Sequence, residues 1–145
     1  MQELPHQYIA TATAGAAGAL SAQVEDVVEL GMAAPANFGG PGDLSSPEDL
    51  QVMAIASCLI LSFRAVARAS KLEWDNLQVE TNGTLDKVDR GMEFTEFHTR
   101  ATLTLPAGTS REKATRVLEK ADKTCLITNS LKAEDHLEIT IEGGE

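Results

Sequence analysis

A chain of 145 residues with 43% apolar side chains is long enough to build one core and too apolar to be disordered. Its formal charge of -10 argues against nucleic acid and anionic membrane as partners, because both need a basic surface. Residues 1–63 carry seven acids and no Lys or Arg, whereas all 12 basic residues lie from Arg64 onward. A site built from the first half therefore takes its positive charge from the second half, a helix terminus or another chain.

In chain order, Tyr8 to Thr13 alternates weakly, and Gly15-Ala-Ala-Gly18 reads as a tight turn. Leu20, Ala22 and Val24 alternate with Ser21, Gln23 and Glu25, a strand with one wet face that continues through Val27 to Leu30. The two segments form an N-terminal hairpin. Residues 31–46 are rich in Gly, Pro, Asn and Ser and read as loop, with Met32 and Phe38 as its packing residues. Ser46 as N-cap, Pro47 at N1 and the acids Glu48 and Asp49 then open a helix running to about Ala69. Its apolar residues, from Leu50 to Val66, point in nearly all directions, which predicts burial on most sides. One face (Gln51, Ala54, Cys58, Ser62, Ala65) is small apart from Gln51, so a second helix or a ligand can approach the Cys58 sulfur.

Leu77 to Leu85 reads as a strand with a possible bulge at Gly83, Asp89-Arg-Gly91 as a turn, and Phe97 to Leu105 as a long alternating strand. Pro106 and Gly108 end it. A second helix starts at Thr109 or Ser110, with Glu112 placed for a capping box and a stripe of Ala114, Val117, Leu118, Ala121 and Cys125. Leu137, Ile139 and Ile141 alternate in a last strand. The order strand, strand, helix, strand, strand, helix, strand predicts one α+β domain over residues 1–145, with largely antiparallel strands.

The opening MQELPHQYIATATAG lacks the basic flank and continuous apolar run of an export signal. The stretch from Leu50 to Phe63 is interrupted by Gln51, Ser57 and Ser62, and is too short and polar to span a bilayer unaided. The expectation is a cytoplasmic protein off the membrane, where two cysteines are more often redox-active or buried than a permanent staple.

Spacing alone leaves two readings open for Cys58 and Cys125. They are a redox pair, Cys58 attacking and Cys125 resolving, or two small buried hydrophobes, the commoner fate of free Cys. Glu48 precedes Cys58 by ten positions, about 15 Å along a helix axis, and by itself reads as a helix-start acid. His6, His98 and His136 fall in no HxH, HExxH or CxxC spacing, so no metal is expected. No nucleophile elbow, GxGxxG or GxxxxGK[ST] is present, and no cofactor is expected.

The runs Phe38-Gly-Gly-Pro-Gly42, Ser46-Pro-Glu-Asp-Leu50 and Ala54-Ile-Ala-Ser-Cys58 together resemble the OsmC/Ohr family, osmotically inducible protein C and organic hydroperoxide resistance protein. The run from Glu119 through Cys125 to Lys132 is similar to the family's second cysteine segment. The resemblance implies an OsmC-like fold: antiparallel sheets around a buried central helix in an intertwined homodimer, with the active site at the subunit interface. It also implies a stress-response peroxidase for organic hydroperoxides. Cys58 matches the peroxidatic cysteine and Cys125 the resolving one, and Glu48 matches a glutamate that holds an arginine against the thiolate. A dithiol, often on a lipoyl-bearing protein, is the implied reductant.

The pattern departs from the family at three places. No basic residue precedes Arg64, where many members carry the activating arginine near the first hairpin; Leu126 replaces a Pro of some members, and Asp122 a His. These features place the chain in a less-studied OsmC-like branch. They also keep open an alternative, a non-catalytic protein holding a small apolar ligand on the same dimeric scaffold.

Overall fold

The computed structural model describes residues Met1–Glu145. They form two compact units, Met1–Gln51 and Val52–Glu145. The first holds a three-stranded antiparallel sheet of β1 (Thr11–Thr13), β2 (Leu20–Val24) and β3 (Val28–Met32). The expected single strand from Leu20 to Leu30 is thus two strands. The chain reverses at Asp26, whose φ of 59° is left-handed, and Val27 N donates to Val24 O at 3.0 Å. Asp accepts that conformation more readily than most residues, so Glu25-Asp26-Val27 makes the turn without glycine. Met32 is buried and bridges Ser45, while Phe38, in a 3-10 turn over Ala36–Phe38, is half exposed.

Helix α1 (Pro47–Ala69) starts where its sequence predicts. Asp49 N donates to Ser46 Oγ at 3.1 Å and Ser46 N donates to Asp49 Oδ2 at 3.0 Å, a reciprocal cap that satisfies two otherwise orphaned amides. Its buried residues are Ile55, Cys58, Leu59, Phe63 and Ala67, a single stripe at helical spacing. Burial on most sides is therefore not what one chain provides: Met53 and Leu61 are more than half exposed. The helix has 23 residues and a mean hydropathy of 1.9 over its most apolar 18-residue window, which by length and composition alone suffices to cross a membrane. Extending to Ala69 makes it longer than the apolar run the sequence emphasises, but its stripe belongs to a protein core.

The second unit's sheet runs β4 (Asn76–Val88), β5 (Gly91–Leu105), β6 (Glu134–Gly143). β4 and β5 pair antiparallel, with a register shift at Thr84/Leu85, one residue past the glycine expected to bulge. Gly83 has another role there. A Cβ on it would come within 2.8 Å of the Phe97 ring and 3.0 Å of Phe94. β6 pairs parallel to β5, whereas the other three strand pairings are antiparallel, as expected for the fold at large. The physical reason is the long crossover from Leu105 to Glu134 through α2 (Arg111–Lys123) and α3 (Leu126–Asn129), which returns the chain to the start of β5.

Leu59, Phe63 and Ala67 of α1, Ala114, Val117, Leu118 and Ala121 of α2, and Leu77, Ala101, Leu103 and Leu105 of the sheet form one core cluster. The Phe63 and Trp74 rings meet edge to face at 5.1 Å. Ser110, not Thr109, caps α2 by accepting from Lys113 N at 3.2 Å. Position N3 is therefore Lys113, and Glu112 accepts from Arg116 one turn on instead of closing a capping box.

Candidate active site: two facing thiols

The candidate residues divide into a pair that meets and one that stays apart. Cys58 sits on the buried stripe of α1, between the core residues Ile55 and Leu59. Cys125 lies just beyond α2, not on it, at the N-cap of the short α3. Local bonds hold it there. Cys125 N donates to Asp122 O at 3.2 Å, Asn129 N donates to Cys125 O at 3.0 Å, and the Asn129 side chain donates to Lys123 O at 3.0 Å. Thr124 anchors the corner by donating its hydroxyl to Lys120 O at 3.0 Å.

Both cysteines are free and buried, and Cys58 is close enough to Cys125 to act on its ionisation. Burial pushes the Cys125 thiol above its ordinary value of 9.0; Thr128 opposes that rise, and the neighbouring Cys58, as hydrogen-bond partner and second ionisable thiol, adds to it. The Thr128 hydroxyl donates to Cys125 Sγ at 3.4 Å. None of the groups acting on Cys125 is a cation. The two thiols differ in access: Cys58 is 9% exposed and Cys125 1%. Cys58 is therefore the more accessible of the two. Of the small face of α1, Ala54 and Ser62 are half-buried and Ala65 is exposed.

Glu48 stands on the first turn of α1. The uninterrupted helix separates it from Cys58 by ten positions, about 15 Å by helical rise, so α1 does not itself bring the carboxylate to the thiol. Its Oε2 is shielded from water and has no hydrogen-bond partner. An orphaned carboxylate oxygen of this kind is costly and calls for a donor. Arg64 and Arg68, the first basic residues of the chain, are exposed.

Two groups escaped the sequence reading. Asp122 on α2 meets Asp135 on β6; burial, then the hydrogen bond and charge of Asp135, push the Asp122 carboxyl up to about 6. Nothing in the spacing signals that pair, whereas Thr128 at three residues past Cys125 is the interval at which an N-cap side chain meets N3. Glu96, His98 and His136 also converge, on the opposite face of the sheet from the core, as potential metal ligands.

A family model described as OsmC-like protein matches residues 40–140. The chain is 26% identical over 117 residues to the uncharacterized protein YmaD of Bacillus subtilis (strain 168), covering 77% of this chain and 78% of that protein. Its fold is similar to an OsmC-like protein of unknown function from Vibrio cholerae O1 biovar eltor, with a TM-score of 0.83, 20% identity and coverage of 93% and 99% of the two chains. It is also similar to an organic hydroperoxide resistance protein OsmC from Legionella pneumophila, with a TM-score of 0.77, 21% identity and coverage of 97% and 99%. With its family segment spanning both cysteines and Glu48, and its α+β fold shared with these structures, the chain belongs to the OsmC-like protein family.

Proposed function

We propose that this protein is a thiol-dependent peroxidase that reduces organic hydroperoxides in the cytoplasm. The observation that carries the reading is the facing pair of buried, reduced thiols, one more accessible than the other. The Cys58 thiolate attacks the distal oxygen of the hydroperoxide; an S–O bond forms, the O–O bond breaks, and the alkoxide leaves as an alcohol with a proton. The Cys125 sulfur then attacks the sulfenic sulfur, forming the disulfide and expelling water with the Cys125 proton. An external dithiol, free or lipoyl-bearing, restores both thiols by exchange and is itself oxidised to a disulfide. Some solved OsmC-like folds similar to this one are named organic hydroperoxide resistance proteins, which favours this substrate class. The apolar neighbours Ile55 and Leu59 favour alkyl over hydrogen peroxide.

The reading treats residues 1–145 as one functional domain working as a homodimer, no nucleic acid or membrane taking part. Exposed Met53 and Leu61 on α1 supply an apolar surface for a second copy, and the unpartnered Glu48 oxygen is suited to a cation of that copy. Glu48 then acts as a positioning residue for the activating cation. Leu61→Glu converts such a dimer to monomer in light scattering; an unchanged mass removes α1 from the interface.

The lack of any Lys or Arg before Arg64 favours a second reading, an apolar-ligand carrier with the thiols as packing. A peroxide-consumption assay with cumene hydroperoxide and dihydrolipoate separates the two. Turnover that disappears in Cys58→Ser is expected; no turnover, or turnover that survives that substitution, contradicts the peroxidase.

A further inference from the structure

We propose that Glu96, His98 and His136 form a binding site for a divalent transition ion of the Zn2+ class on the solvent face of the second sheet, with a water as fourth ligand. In the parallel pairing of β5 and β6, Glu96 stands opposite Glu134 and His98 opposite His136. Like charges directly opposed across strands destabilise a sheet. Two positions further along, the same strands pair Arg100 with Glu138, their charged atoms 3.4 Å apart. The sheet thus matches opposite charges at one step and sets carboxylate against carboxylate and imidazole against imidazole at the neighbouring two. A dication resolves that conflict, since Glu96 and two neutral imidazoles ligate it and the neighbouring Glu134 carboxylate offsets its remaining charge.

The distances agree with this and disagree with simple ion pairing. Glu96 Oε2 lies 3.3 Å from His98 Nε2 and 3.7 Å from His136 Nε2, and Glu134 Oε2 lies 3.6 Å from His136 Nε2. A charge-assisted hydrogen bond closes to about 2.7–2.9 Å. Zinc-to-ligand bonds of about 2.0–2.2 Å in a tetrahedron instead separate the ligand atoms by about 3.3–3.6 Å. The two imidazole rings stack at 4.5 Å with an interplanar angle of 15°, and the ligand atoms of Glu96, His98 and His136 all lie within 4.8 Å of one another. A concavity of about 280 Å³ opens beside the two histidines, lined also by Glu80, Asn82, Arg100 and Glu138. Such an ion adds a cross-strand tie to the parallel pairing of β5 and β6.

The test is a titration of the full-length protein with Co2+, followed by visible absorption and competed with Zn2+. Expected is saturable binding of a single ion with the intensity of a four-coordinate site. The affinity falls at least about tenfold in His98→Ala and in His136→Ala, and is retained in the Cys58→Ser/Cys125→Ser double variant. In the unmodified protein, proton resonances of the His98 and His136 rings shift with Co2+ more than those of His6, a readout that needs no variant. No saturable binding overturns the site, as does binding indifferent to both histidine substitutions or lost with the thiols.

Discussion

The two faces of strand β5 carry opposite chemistry. Ala101, Leu103 and Leu105 point into the core formed with α1 and α2, with Phe97 and Thr99 buried on the same face, while Glu96, His98 and Arg100 point to water. The helices packed on the dry face carry two buried thiols, where, under the proposed function, an apolar peroxide would partition and a sulfenic acid would be protected from further oxidation. On the wet face, charged groups gather at separations that suit an ion. The alternation of a single strand therefore puts the core-facing residues and the proposed metal ligands on opposite faces of the sheet.

Substitutions on each face break or sharpen that contrast, the largest effect first. Cys58→Ser lowers hydroperoxide consumption by about a thousandfold or more in a dithiol-coupled assay, with unchanged circular dichroism. Cys125→Ser leaves the first attack intact and stops at the sulfenic acid, detectable by dimedone labelling. Phe63→Ala, on the dry side and fully buried against Trp74, costs about 3–5 kcal/mol in denaturant unfolding.

Asp122 gives a smaller effect with a defined pH signature. Between about pH 4 and pH 6 the folded chain holds a proton on Asp122 that the unfolded chain, with its ordinary value of 3.8, has released. The contribution is present at low pH, and stability falls as the pH rises through about 6. Asp122→Asn flattens that slope and adds about 1 kcal/mol at pH 8, the side chain being half in water. A steepened slope in denaturation measured at several pH values contradicts the Asp122–Asp135 pairing. On the wet face, His98→Ala changes metal-free stability by no more than about 0.5 kcal/mol, because the side chain is half exposed. A larger loss in metal-free denaturation makes the imidazole stack structural in its own right.

Local rules carried much of the fold. Ser46-Pro47 fixed the start of α1, the alternation from Phe97 to Leu105 fixed β5, and the apolar spacing from Ala114 to Ala121 fixed the buried side of α2. The errors came from features that periodicity does not encode. Val24 and Val28 flank a turn made by an aspartate in the left-handed region, with no glycine to announce it. Four-residue α3 has no room for a periodic stripe, so Cys125 read as the end of α2 although it caps the next helix. At the site, the identity of the two cysteines was legible, but their meeting was not, because it depends on how the α2–α3 corner packs beside α1. The His98–His136 grouping was hidden for a related reason: its ligands come from two strands 38 positions apart, not from one spaced motif.

The central claim is that Cys58 and Cys125 are converted into one intramolecular bond by an organic hydroperoxide. Peptide mapping by mass spectrometry after one equivalent of cumene hydroperoxide, with free thiols blocked before digestion, tests it most directly. The account predicts a cross-linked peptide joining Cys58 to Cys125 that dihydrolipoate removes. Both cysteines recovered as blocked thiols, or Cys58 over-oxidised while Cys125 stays free, contradicts it.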